Sequence, residues 1–438
     1  MGTYIPHTRK DQEEMLTSIA QTWDSLLSTI PSNVKLKREL NLPEGLSEFE
    51  VYQAMKSYAS QNVVFHTILR GAGAYDHFIP SVVRHLSARE EFVTAYTPYQ
   101  SELSQGVLQS IFEFQSMMAS LTGMDAANAS VYDGATAAAE AIAMSYERNR
   151  RTVLLSSMLH PHTIEVIKTY TQEIDVTIKM IDAVDGRTSL EHLQENLDES
   201  VCAVLVSHPN YYGILEDVQG LREIITDSKV KYIVSVNPMT LGRLANPGSY
   251  GADIVVGEAQ PFGLSLAFGG PYLGFMCTSD KYVRRLPGRI IGQTVDSQGK
   301  RAFTLTLQAR EQHIRREKAS SSICSNQAHC ALTAAMYLGA VGPKGLKEVA
   351  TQCANKAHAF ASKLESIGYT LSHQQPFFHE FVTQTPVSTS LIEETLAKHG
   401  ILSGLILDEH RMLWCVSETT SDKQLDVIVN ILKEVQHG

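Results

Sequence analysis

The sequence predicts a doubly wound α/β domain on a mostly parallel sheet, followed by a small C-terminal α+β domain. Two observations carry this. Between about residues 66 and 310, near-continuous apolar runs alternate with helix-length segments, as expected when helices cover both faces of a parallel sheet. From about 311 a long helical stretch takes over, followed by strands interleaved with two helices.

Taken in order, residues 1–65 read as a helical arm broken by Pro31, Pro43 and Gly45. Met15, Ile19, Trp23, Leu26 and Leu27 fall on one helical stripe. Such an arm has little core of its own and is of the kind that wraps a partner subunit. After the turn signal Asp133-Gly134 comes a small-residue helix, ATAAAEAIAMSYERN. The strands TVLLS (152–156), DVTIKMID (175–182), CAVLVSHP (202–209), KYIVSVNP (231–238), ADIVVG (252–257) and YLGFMC (272–277) follow, with helices between several of them. The helical stretch from 311 runs to Ile367 with an interruption at Gly339–Pro343. The strand FFHEFVTQT, a helix over 388–399, the strand MLWCVS (412–417) and a helix over 421–436 complete the chain.

Composition excludes several classes of function. With 438 residues and a formal charge of −10, the chain lacks the clustered cationic surface that displaces counterions from nucleic acid. The densest basic stretch, REQHIRREK (310–318), is interrupted by acids and apolar residues. The six cysteines, at 202, 277, 324, 330, 353 and 415, form no CxxC pair. They read as reduced thiols of a cytoplasmic protein, with neither a zinc site nor a disulfide framework. No apolar run is long enough to span a membrane, and the start of the chain has no signal-peptide core.

Four segments are candidates for chemistry. Gly134, Ala135 and Thr136 open a helix, where exposed N–H groups and the dipole favour an anion; equally, Asp133 can simply cap that helix and the alanines permit close packing. The stretch EFVTAYTPYQSELSQ (91–105) is dense in polar tips, with Tyr96 and Tyr99 flanking Pro98. It suits a cleft or an interface, or a capped helix start. The stretch SHPNYYGILED (207–217) follows a buried strand, where doubly wound sheets bind ligands; His208, Asn210, Tyr211 and Glu216 are the contact candidates. His160-Pro161-His162 flanks a cofactor ring or starts a helix with proline at its first position; nothing in its spacing makes a metal pair.

Read together, GAGAYDHFIPSVV (71–83), AYTPYQSELSQG (95–106), VYDGATAAAEA (131–141), HPNYYGILED (208–217), YGADIVVGEAQPFG (250–263), AFGGPYLGF (267–275), LPGRIIGQTVD (286–296) and LTLQAREQHIRREKASSSICSN (305–326) closely resemble the P-protein of the glycine cleavage system. The likeness is to the alpha-type half found where that enzyme is split into two chains. It implies a fold-type-I pyridoxal-phosphate transferase fold with a seven-stranded sheet. It also implies a part in decarboxylating glycine and passing the aminomethyl group to the lipoyl arm of H-protein. The cofactor serves as electron sink, held by a Schiff-base lysine, a carboxylate on the ring nitrogen and a phosphate cradle.

Against that pattern the chain lacks both electronic handles. The resemblance puts the lysine in the loop 257–263, with Pro261 or a neighbour in its place, and no lysine occurs between Lys231 and Lys281. Asn237 stands where the aspartate belongs, and an amide carries no charge to keep the ring nitrogen protonated. The expectation is a duplicated fold whose pyridoxal phosphate sits on a lysine-bearing beta subunit, in an alpha2beta2 assembly that lipoylated H-protein visits. Tyr96, Tyr99, Gln100, Glu102, Ser104 and Gln105 are expected to contribute to the partner's active site. Gly134, Ala135, Thr136, His160, His208, Asn237 and Gln260 mark a vestigial cofactor pocket. The alternatives are a self-sufficient enzyme using a displaced lysine, Lys281 or Lys318, and a purely structural or regulatory subunit.

Overall fold

The structure is a computed structural model that describes residues 6–38, 40–94, 97–227, 229–308, 312–319, 321, 323 and 327–436. It divides into two units, Met1–Val64 and Phe65–Gly438. In the first unit, α1 (Arg9–Ser18) and α2 (Glu48–Ala59) each start at a capping box, Thr8 with Asp11 and Ser47 with Glu50. Local capping is the main support these helices have. No described residue of this unit is buried, and Trp23, Phe49, Tyr52 and Met55 are all more than half exposed.

The second unit is built on seven strands: β1 (Ala126–Ala127), β2 (Thr152–Ser156), β3 (Thr177–Ile181), β4 (Val201–Ser207), β5 (Lys231–Val236), β6 (Ile254–Glu258) and β7 (Gly274–Thr278). Their order across the sheet is β1-β7-β6-β5-β4-β2-β3. From β3 through β6 all pairings are parallel, and β7 runs antiparallel to both of its neighbours. The expected seven-stranded, mostly parallel sheet is present.

Successive strand residues point to opposite faces, and each face has its own core. Val204, Val206, Tyr232 and Val234 pack on one side with Phe114 and Met118 of α3 (Gln105–Thr122). Ala203, Leu205 and Ile233 pack on the other with Ala137, Ala138 and Ile142 of α4 (Gly134–Ser145) and Ile167 of α5 (Pro161–Thr171). The alanines of α4 let its backbone lie close to the sheet. A Cβ on Gly134 would come within 2.9 Å of the Glu258 backbone nitrogen, so the first turn tolerates only glycine there without a shift.

A hairpin, β8 (Ile290–Val295) with β9 (Arg301–Thr306), lies over the start of α3. The long helix α6 (Ala328–Glu365) breaks at Gly342, which takes φ 60° just before Pro343. Proline has no N–H to continue the ladder and biases the residue before it out of the helical region, so the interruption falls where the sequence placed it. The first half of α6 packs on the large sheet through Tyr337 and Leu346. Its second half, through Phe360 and Leu364, enters a separate core around Trp414. That core is covered by a four-stranded antiparallel sheet, β10 (Thr370–Leu371), β11 (Glu380–Gln384), β12 (Leu405–Ile406) and β13 (Arg411–Cys415), in the order β10-β11-β13-β12. Helices α7 (Thr389–Lys398) and α8 (Asp422–Val435) pack into it through Ile392, Leu396, Leu425 and Ile428. No helix among the described residues is long and apolar enough to cross a membrane.

Candidate active site

The parallel strands β2, β4, β5 and β6 all end on one edge of the sheet, where doubly wound folds bind ligands. A pocket of about 290 Å3 opens there. Asp133, Gly134 and Ala135 from the start of α4, His160 and His162 from the start of α5, Ser207 and Tyr211 after β4, Asn237 after β5, and Glu258 at the end of β6 all line it.

The segment 72–75 forms one wall. His160 Nε2 donates to the Ala72 carbonyl at 2.9 Å while its Nδ1 accepts from the His162 N–H at 3.0 Å. Those two bonds fix a neutral tautomer, and burial lowers the ring's pKa further in that direction. Tyr211 meets the imidazole edge-on, with centroids 4.7 Å apart. Below the wall, Ala72 N–H and the Tyr75 hydroxyl donate to the two oxygens of Glu380 at 2.7 and 2.8 Å. Burial pushes Glu380 up to about 7.

Gln260 is buried behind this wall. It accepts from the Tyr75 N–H and donates to the Tyr75 and Leu264 carbonyls, all at 2.7–2.9 Å. All of these side-chain bonds go to backbone, which is a structural role. Asn237 spends its Oδ1 on the Met239 N–H at 3.0 Å, and its buried Nδ2 has no partner among the described residues. Glu258 is half-buried on the pocket lining; it accepts from the backbone N–H groups of Gly134, Gln260 and Leu273 at 3.0, 2.9 and 2.9 Å. Burial, aided by Asp133, pushes its carboxyl up to about 7.

Of the expected vestigial-pocket residues, Gly134, Ala135, His160 and Asn237 come together on the lining. Thr136, His208 and Gln260 stand behind it. Thr136 gives its N–H to the Asp133 cap at 2.7 Å. His208 is buried, accepts from the Glu216 N–H through Nδ1 at 3.2 Å, and is pushed down to about 4 by burial and by Arg187. Glu216 in turn bridges Thr188 and Asn210. Pro261 is buried beside Gln260. Lys281 and Lys318 are exposed, and neither lines the pocket.

The polar stretch before α3 lies elsewhere. Tyr99 carries the Arg289 guanidinium over its ring at 4.2 Å and packs with Leu108, Ile111 and Phe303. Gln105 exchanges two 2.8 Å hydrogen bonds with Phe303 of β9. Gln100 and Glu102 are exposed, and Ser104 precedes α3 without capping it through its side chain. Tyr96 lies outside the described residues. None of the described members of this group lines the chain's own pocket.

The strand order and the pocket at the strand ends define a fold-type-I pyridoxal-phosphate enzyme fold. Structures of Burkholderia pseudomallei sphingosine-1-phosphate lyase and Lactobacillus brevis glutamate decarboxylase share it, with TM-scores of 0.67 and 0.69 over 93% and 94% of this chain and 96% and 97% of theirs. At 12% and 10% identity they show the fold alone. A crystal structure of glycine decarboxylase (P-protein) of the glycine cleavage system, in inhibitor-bound form, matches far more closely. Its TM-score is 0.92 at 39% identity, covering 99% of this chain and all of the other.

The family model for the glycine cleavage system P-protein matches residues 2–432, and the chain belongs to that family. Similar proteins include the probable glycine dehydrogenase (decarboxylating) subunit 1 of Desulforamulus reducens, 49% identical over 97% of this chain and 98% of that protein. That of Moorella thermoacetica is 47% identical over 99% of each.

The pocket does not fit the cofactor that the fold implies. Among the described residues, the lining holds no lysine and no arginine. Asn237 carries no charge and its Oδ1 already accepts from the Met239 N–H, so it offers no carboxylate to a protonated ring nitrogen. A carboxylate already occupies the helix start. Sequence reading singled out Asn237 and Gln260 but not Glu258, Tyr75 or Glu380. A glutamate closing the buried strand IVVGE was the one available signal, since a charge at the end of such a strand needs buried partners.

Proposed function

We propose that this chain is the non-cofactor-bearing alpha subunit of a split glycine decarboxylase. The assembled enzyme decarboxylates glycine and transfers the remaining aminomethyl group to the lipoyl arm of H-protein. Pyridoxal phosphate is held by a lysine-bearing beta subunit, and two such pairs form an alpha2beta2 enzyme in the cytoplasm. The observation that carries this reading is the pocket: it keeps the place and outline of a fold-type-I site, while its described lining offers no lysine to bind the cofactor and no cation for a phosphate.

The chain's own part is to complete the neighbour's site. In this fold class active sites form at subunit interfaces, so a lysine-free copy still contributes residues across the interface. The polar tips Gln100 and Glu102 are exposed and do not line their own pocket, with Tyr99, Ser104 and Gln105 in the same segment. Tyr96 belongs to the same stretch. The uncovered first unit supplies apolar surface of the kind an obligate partner buries. The relatives are named as a subunit of an enzyme, so the purely structural reading is set aside.

The test mixes the purified chain with pyridoxal phosphate, alone and with its lysine-bearing partner, and follows the visible spectrum and glycine-dependent CO2 exchange. The expected result is a lysine-bound cofactor band and exchange only in the mixture. A borohydride-reducible band from this chain alone defeats the proposal.

A further inference from the structure

Three backbone N–H groups from separate parts of the fold converge on one carboxylate. The Gly134 N–H, from the first turn of the twelve-residue α4, reaches Glu258 Oε2 at 3.0 Å. The Gln260 N–H, beyond the end of β6, and the Leu273 N–H, just before β7, both reach Oε1 at 2.9 Å. Such a nest of N–H groups at a helix start holds an anion without help from a cationic side chain. The chain supplies the occupant itself. Gly134 has no Cβ to keep α4 away from the strand end, so the close approach that makes the nest is itself encoded.

We infer that the Glu258 carboxyl is a resident occupant, filling the phosphate-type cradle at the start of α4 and closing this chain's pocket to phosphorylated ligands. A phosphate entering the pocket would have to displace Glu258 from three hydrogen bonds. It would then lie between two carboxylates, because Asp133 also lines the pocket and holds the Thr136 N–H at 2.7 Å. No lysine or arginine among the described residues lines the pocket to offset that repulsion. Two consequences follow from one residue. The cradle's N–H groups are satisfied without a ligand, so this half folds with its pocket complete. And a chain that keeps the outline of a cofactor site does not draw pyridoxal phosphate away from the subunit that uses it.

The test is titration of the full-length chain with inorganic phosphate, followed by calorimetry and by hydrogen exchange across residues 132–137. The wild type is expected to show no saturable binding at millimolar phosphate and no phosphate-dependent protection. Glu258→Ala and the polar Glu258→Ser both empty the cradle, and each is expected to bind phosphate at least tenfold more tightly than the wild type. Saturable binding by the wild type, with protection at Gly134 and Ala135, overturns the inference. So does the absence of any gain in a folded variant. Should neither variant fold, the exchange measurement on the wild type still decides. The readout involves neither the partner nor glycine, so its failure is distinct from failure of the subunit assignment.

Discussion

The Tyr75 hydroxyl donates to Glu380 Oε2 at 2.8 Å, joining the wall of the pocket to the first strand residue of the C-terminal core. Both side chains are closed off from water. Removing the donor leaves a buried carboxyl oxygen short of a partner, a loss of about 1–3 kcal/mol. Tyr75→Phe is therefore expected to lower the denaturation midpoint with little change in slope, measured by urea unfolding of the chain.

Glu380 also sets a pH dependence. Burial raises its pKa from 4.5 to about 7, so between those values the folded state holds a proton that the unfolded state releases. Stability from this group is full below about pH 4.5 and lost as pH rises through about 7, by roughly 3 kcal/mol at most. His208 and His379, pushed down by burial to about 4 and 3, act in the opposite sense below 6.5. The informative quantity is thus the difference between the wild type and Glu380→Gln. That difference is expected to move in favour of the variant as pH rises from 5 to 8, and a flat difference would contradict the assignment.

Gly134 tests the contact between α4 and the strand end. Its Cβ would lie 2.9 Å from the Glu258 nitrogen and 3.0 Å from the Glu258 Cβ. Gly134→Ala is expected to cost about 1–3 kcal/mol, the usual range for overpacking, read as a fall in melting temperature.

The polar stretch before α3 makes a different prediction. Glu102 is exposed in this chain, so Glu102→Ala should leave its fold and its assembly unchanged. Turnover of the assembled enzyme is expected to fall at least tenfold, with Tyr96→Phe behaving likewise. Wild-type glycine-dependent CO2 exchange in both variants would remove the role across the interface.

Much of this fold was legible in the sequence because its strands are buried on both faces. TVLLS and KYIVSV read as strands without any alternation to interpret, and Gly342-Pro343 marked the break in α6 on backbone chemistry alone. β1 escaped notice because two residues carry no periodicity. The hairpin β8–β9 escaped notice too, although Asp296–Gly299 forms its turn. The missing lysine was visible because an absence over a long stretch survives any shift of register. The role of Glu258 was not, because it depends on Gly134, a residue 124 positions earlier, arriving at the same corner. His208 carried the right neighbourhood but the wrong depth: its side chain turns inward to the Glu216 N–H instead of toward the pocket.

The first unit offers a further test. A chain lacking residues 1–64 loses no buried side chain of that unit. It should co-purify with the partner at least tenfold less well than the full chain.

That same uncovered arm bears on how the protein is made. Trp23, Phe49, Tyr52, Met55 and Tyr58 all stand open, and apolar surface of this kind is what chaperones and proteases engage. Copies made in excess of the partner would be retained by the quality-control machinery or degraded. The level of this subunit in the cell is then fixed by the scarcer chain, and balanced synthesis of the two becomes a requirement written into the first sixty residues.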